Sequence, residues 1–147
     1  MKIARLLLLV CMSFYLCLYA AHASHQVVLV AASDSPLSEL DSLQLRKIYL
    51  GFGVKSDGYA ITAYRNTADE DLNRIFLQTV VAMSEKAYAR RQLFLVLRQG
   101  VPRVAEFEDS EKLVAALRKN PYSVSYMWKE DALASSDVKI LRVLWDE

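Results

Sequence analysis

Apolar and polar positions along this chain switch between a strand period and a helix period. His25 to Ala32 (HQVVLVAA) is a β-branched apolar run, short enough for a buried first strand. Ser33-Asp34-Ser35-Pro36 interrupts it with turn formers. Asp41 or Ser42 then caps a helix carrying Leu43, Leu45, Ile48 and Tyr49, with Gly51 as its stop. Gly51 to Gly58 reads as a loop and Tyr59 to Tyr64 as a second strand. Thr67 and Glu70 form a capping-box pattern, after which Leu72, Ile75, Phe76, Val80 and Met83 recur at helical spacing. Ser84 and Glu85 open a third helix, with Arg90 and Arg91 on its solvated side and Phe94 to Leu97 on or near the core. Asp109 or Ser110 caps a fourth, which Asn120-Pro121 closes. Tyr122 to Trp128 reads as a strand, Lys129 to Ala134 as a helical turn, and Val138 to Leu144 as a last strand. Strands alternating with amphipathic helices predict an α/β fold, a small mixed sheet flanked by helices, in one domain.

The N-terminus has a different pattern. Lys2 and Arg5 precede an almost unbroken apolar stretch from Leu6 to Leu18, and Ala21-His22-Ala23 supplies small residues around a cleavage point. Residues 1–23 therefore read as a signal peptide and residues 24–147 as the mature domain, which predicts a periplasmic location. An uncleaved anchor is the alternative use of the same run.

Composition narrows the chemistry. The whole chain has a net charge of +1 and the mature part −1, so there is no broad basic footprint for nucleic acid. The two cysteines, Cys11 and Cys17, and His22 lie before the cleavage point; His25 sits beside the new terminus. The mature domain thus has no disulfide framework, no thiolate or histidine metal site and no general-base histidine inside the fold. No phosphate-loop or dinucleotide fingerprint occurs, so no cofactor is expected. Glu106, Glu108, Asp109 and Glu111 read as a solvated loop and the negative first turn of a helix rather than a catalytic pair. The expectation is a non-enzyme whose membrane contact is through the export signal.

Recognition by hydroxyls, amides and arginine remains. Ser33 and Ser35 follow the first strand; Arg65, Asn66 and Thr67 lie between the second strand and the next helix. A strand-to-helix loop presents free N–H groups and a positive dipole end, and a guanidinium adds forked charge-assisted hydrogen bonds, so an oxyanion suits this residue set. The plainer reading makes Thr67 an N-cap and Arg65 a surface charge. Tyr49, Tyr64, Tyr122, Tyr126, Trp128 and Trp145 read mainly as core or sheet-face residues.

Leu37 to Gly51 (LSELDSLQLRKIYLG) resembles the "LS…LR.IFLG" segment of phosphate-type periplasmic solute-binding proteins, and VVLVAAS their inter-lobe strand. YAITAYRNTADEDLNRIF lies where that family places a strand, an arginine and a phosphate-cradling helix start; NPYSVSYM is similar to its "PGAIGYV" strand. The resemblance implies a single-lobe periplasmic-binding-protein-like domain, with phosphate or another small oxyanion as ligand. Two departures bear on this. The Ser-Gly-Thr cradle is replaced by Asn66-Thr67-Ala68-Asp69-Glu70, and 124 residues match about one lobe. Two functions follow: an oxyanion-binding module using Ser33, Ser35, Arg65, Asn66 and Thr67, or an accessory domain docking onto an envelope protein such as a permease or sensor.

Overall fold

The computed structural model describes residues 25–147; the signal-peptide reading of residues 1–23 lies outside the described residues. The elements run β1 (Gln26–Ala32), α1 (Ser42–Tyr49), β2 (Lys55–Ser56), β3 (Tyr59–Ala60), β4 (Thr62–Asn66), α2 (Glu70–Phe76), a π-helical turn (Leu77–Val81), α3 (Glu85–Gln99), β5 (Ala105–Phe107), α4 (Ser110–Lys119), β6 (Ser123–Trp128), α5 (Lys129–Ala134) and β7 (Val138–Asp146). The main sheet has the order β5-β4-β6-β1-β7. β4 runs parallel to both β5 and β6, whereas β1 runs antiparallel to both β6 and β7. This is the expected mixed α/β architecture.

Why β1 is so apolar follows from its place between β6 and β7. Its side chains alternate between two cores, and a strand covered on both faces has no position for a polar residue. Val27, Leu29 and Ala31 join one core with Leu45, Ile48 and Tyr49 of α1, Leu72 and Phe76 of α2, Leu77 and Val81 of the π turn, and Tyr88 of α3. Val28, Val30 and Ala32 join the other with Leu113 and Leu117 of α4 and Ala132 of α5. Residues 25–147 thus contain both cores and every strand of the sheet, so a chain starting at Ser24 keeps all the contacts described.

Helix starts follow their side chains. Asp41 and Gln44 form a reciprocal capping box on α1, Ser84 caps α3 and Asp109 caps α4. Four details differ from the sequence pattern. The loop expected over residues 51–58 contains β2, which pairs with β3 across Asp57 and Gly58, both at positive φ, as a two-residue hairpin turn requires. The strand expected over 59–64 is accordingly divided at Ile61. The helix after β4 is capped by Asp69, not Thr67, because the Thr67 amide donates to Phe107 O and so extends β4–β5 pairing. On α3 only Tyr88, Gln92 and Leu95 are buried; Phe94, Val96 and Leu97 face solvent.

Gly51 ends α1 at φ +83°, and a Cβ there would lie 2.8 Å from Leu95 Cδ1. Gly51→Ala is therefore expected to destabilise the domain by about 1–2 kcal/mol in urea unfolding, mainly through the backbone conformation. Gly53, with open space around it, is the control: Gly53→Ala should be close to neutral. Equal effects at the two positions would contradict this account.

Candidate functional site

The two loops singled out in the sequence lie at opposite ends of the sheet. β1 runs against β4 and β6, so the end of β1 meets their beginnings. Ser35 Oγ donates to Pro121 O (2.5 Å) and accepts from the Leu37 amide, and Lys139 Nζ donates to Ser35 O. Ser35 is buried and fully engaged in holding this turn; Ser33 is exposed, its amide bonded to Asp137 O. Arg65, Asn66 and Thr67 close the other end of β4, about 13 Å away at the rise of an extended strand. The topology brings Arg65, Asn66 and Thr67 together and keeps Ser33 and Ser35 apart from them.

Arg65 is the centre of its edge. Its side chain is 2% exposed, yet it has no shortage of counter-charge. Nη1 donates to Glu106 Oε1 (2.5 Å), and Nη2 donates to Glu85 Oε2 (2.8 Å) and Asn73 Oδ1 (2.9 Å). The guanidinium carbon stands 4.8 Å from the centre of the Tyr88 ring. Burial works against the charged form, but the surroundings, Tyr126, Glu106 and Glu85 foremost, outweigh it and raise the pKa. Two half-exposed carboxylates thus neutralise one buried cation and leave a net negative charge at its surface side.

The partners come from three elements. Glu106 arrives on β5, in register with Arg65. Glu106 thus lies on an edge strand rather than in a loop, while Asp109 caps α4 and Glu111 lies in its first turn, as the pattern predicts. Glu85 comes from the first turn of α3 and also accepts from Asn73 Nδ2 (2.8 Å). Asn73, on α2, additionally accepts from the Tyr126 hydroxyl (2.8 Å). Behind them, the Phe76 and Tyr126 rings stack at 3.7 Å, and Tyr49 packs edge-on to Phe76 at 4.6 Å. Burial raises the Tyr126 and Tyr88 pKa values far above the usual phenol range, so both hydroxyls stay protonated donors.

Asn66 is buried. Its Nδ2 donates to Tyr126 O and its Oδ1 accepts from the Ala68 amide, which turns the chain out of β4. Thr67 Oγ1 and Arg65 Nε are buried without a hydrogen-bond partner. The helix start beyond is already occupied by a carboxylate: Asp69 accepts from the Leu72 amide (2.9 Å) and from the Trp128 indole (3.2 Å). A cavity of about 210 Å³ is lined by Asn73 and Glu85, two partners of Arg65, with Glu70 and Arg74 among others; Arg65 itself does not line it. A wider groove of about 660 Å³ lies on the other face of the sheet between α4 and α5, and none of the five candidate residues lines it. Among the described residues no cluster of His, Cys, Asp and Glu could hold a metal ion, and no helix is long and apolar enough to cross a membrane.

Neither a family model nor a curated protein matches this sequence. The fold, by contrast, has counterparts among solved structures. An ABC-type phosphate transport receptor from Vibrio cholerae superposes with a TM-score of 0.56 at 14% identity, over 82% of this chain and 46% of its own. The substrate-binding domain of a putative molybdenum ABC transporter from Clostridium difficile aligns over 82% of this chain and 43% of its own, at 14% identity and a TM-score of 0.44. The chain spans less than half the length of either. The likeness to the first of these shows a shared fold, a mixed α/β sheet flanked by helices like that of periplasmic-binding-protein-like domains.

Sequence reasoning missed Glu85, Asn73 and Tyr88 as partners of Arg65, because each looked like an ordinary helix-start or helix-face residue. Arg65→Ala is expected to cost about 3 kcal/mol of stability in urea unfolding, as a buried cation and its hydrogen bonds are lost. Glu106→Gln should cost only about 1 kcal/mol, since Glu85 still neutralises the guanidinium and the Glu106 side chain is half exposed. A stable Arg65→Ala protein would sink this description. Asp69 gives a pH signature. Its carboxyl is held below the usual range chiefly by the Leu72 amide, helped by the Trp128 indole against partial burial. Its stabilisation is complete above the unfolded pKa near ~3.9 and is lost as pH falls through the lower folded value. Asp69→Asn, which still caps the helix, should therefore flatten the acid side of a stability–pH curve.

Proposed function

We propose that this chain is an exported, non-enzymatic module built on one lobe of the solute-binding-protein fold, and that it acts by docking onto an envelope protein, a permease or a sensor. Glu85 and Glu106 carry this reading. They occupy the two outward faces of the guanidinium that an oxyanion would need, and Asp69 occupies the helix start next to it. A free anion arriving at this edge would meet three carboxylates before the arginine, and like charges at such distances repel.

A second reading, binding of phosphate or another small oxyanion at the same edge, is favoured by one observation. Thr67 Oγ1 and Arg65 Nε are buried donors with nothing to donate to. An anion reaching both would need Glu106 or Glu85 to swing away, which their half-exposed side chains permit.

A thermal melt of the chain starting at Ser24, with and without millimolar phosphate, sulfate or molybdate at constant ionic strength, separates the two. A ligand at a hundred times its Kd stabilises the native state by about 2.7 kcal/mol, a shift of several degrees. The docking reading expects no shift with any anion. It also expects in-cell cross-linking of the full chain, from a photoreactive residue at exposed Glu108 beside β5, to one envelope protein. A selective shift that Thr67→Val abolishes would overturn docking in favour of the oxyanion site.

A further inference from the structure

The outward face of α3 is the most unusual surface among the described residues. Tyr88, Gln92 and Leu95 anchor the helix: the Tyr88 hydroxyl and Gln92 Nε2 donate to Tyr49 O, and Leu95 packs beside Gly51. The opposite side presents two adjacent rows at four-residue spacing. One row is Lys86, Arg90, Phe94 and Arg98; the other is Ala89, Leu93 and Leu97. Leu97 is 71% exposed, Phe94 52% and Leu93 46%, although the same residues could have faced the core had the helix turned. Phe52, 54% exposed, lies to one side with the Arg91 guanidinium 5.4 Å from its ring centre.

The charge is one-sided as well. From Glu85 to Arg103 there are five basic residues, Lys86, Arg90, Arg91, Arg98 and Arg103, and Glu85 is the one acid. That acid is spent on Arg65. A mature chain with a net charge of −1 therefore concentrates cations on the helix that carries exposed Leu93, Phe94 and Leu97. None of Arg90, Leu93, Phe94, Leu97 or Arg98 lines either cavity described above; together they form an exposed ridge along α3.

We propose that this ridge is a peripheral contact for an anionic phospholipid surface, with Leu93, Phe94 and Leu97 entering the headgroup–acyl boundary and Arg90, Arg98 and Lys86 meeting lipid phosphates. The chemistry matches on both counts. Apolar tips gain by leaving water, while long cationic side chains reach outward to the headgroup level from a helix lying in the membrane plane. Each cation near an anionic surface adds attraction that salt screens. The inference is independent of whether the arginine edge docks a protein or binds an anion.

Co-sedimentation with vesicles tests it. The chain starting at Ser24 is used, so that the apolar run at Leu6–Leu18 cannot contribute. Binding is expected to phosphatidylethanolamine–phosphatidylglycerol vesicles and not to phosphatidylcholine, and to be lost at about 1 M salt. Arg90→Gln and Arg98→Gln should each weaken it about fivefold, and the double variant Phe94→Ser/Leu97→Ser should abolish it while leaving the circular dichroism spectrum unchanged. Absence of sedimentation with the anionic vesicles would overturn the proposal. So would binding that these variants leave intact, because another surface would then be responsible. Self-association or capture of an acidic protein, lost in Phe94→Ser/Leu97→Ser without any vesicle binding, would overturn it too and make the ridge a protein interface.

Discussion

A buried guanidinium cannot stand alone, and much of one edge of this molecule is arranged around that constraint. Removing Arg65 from water is tolerable only because β5 delivers Glu106, α3 delivers Glu85, α2 delivers Asn73, and the Tyr88 ring faces the charge. The same set of contacts ties a short edge strand and two helices to β4. Asn73 carries the connection further, through the Tyr126 hydroxyl into the stacked Phe76 and Tyr126 rings. Charge pairing and aromatic packing are thus parts of one construction, and chemistry at this edge is bound up with folding.

The sheet divides the molecule unevenly. Its first core gathers α1, α2, the π turn and Tyr88, while the second rests on α4 and α5. Because β1 runs against β4 and β6, the loop after β1 is directed to the opposite end from the loop after β4. Each end has its own polar fastening: Ser35, Pro121 and Lys139 at one, Arg65 and its acids at the other. This layout keeps the framework shared with the fold of the phosphate transport receptor, while the arginine edge is filled with the chain's own side chains.

Much of this was legible from residue patterns. The apolar run of β1, the Asp41 and Ser84 caps, and the Gly51 stop each act locally, so a short window contains the cause. The α/β class followed from alternating periods. Other features depended on distant partners. Thr67 looked like the cap, but its amide is taken by Phe107, forty residues on, and capping passes to Asp69. Phe94 to Leu97 read as on or near the core because they are apolar, and Leu95 is; the side on which α3 is buried, which leaves Phe94, Val96 and Leu97 exposed, is set by Tyr88 and Gln92 reaching back to α1. Arg65 was recognised as special, and its neighbours were not, because ion pairing across twenty and forty-one residues leaves no periodic trace.

The register of β1 with β7 has a further consequence. Gln26 pairs with Asp146, so the first and last residues of the sheet lie side by side, on the same edge as Asn66 and Trp128. A partner joined beyond Asp146 would therefore leave the sheet at the same end as the arginine cluster, and a contact made there would have an effective concentration set by its tether rather than by diffusion. A weak contact there, too feeble to persist between separate molecules, becomes substantial once it is intramolecular.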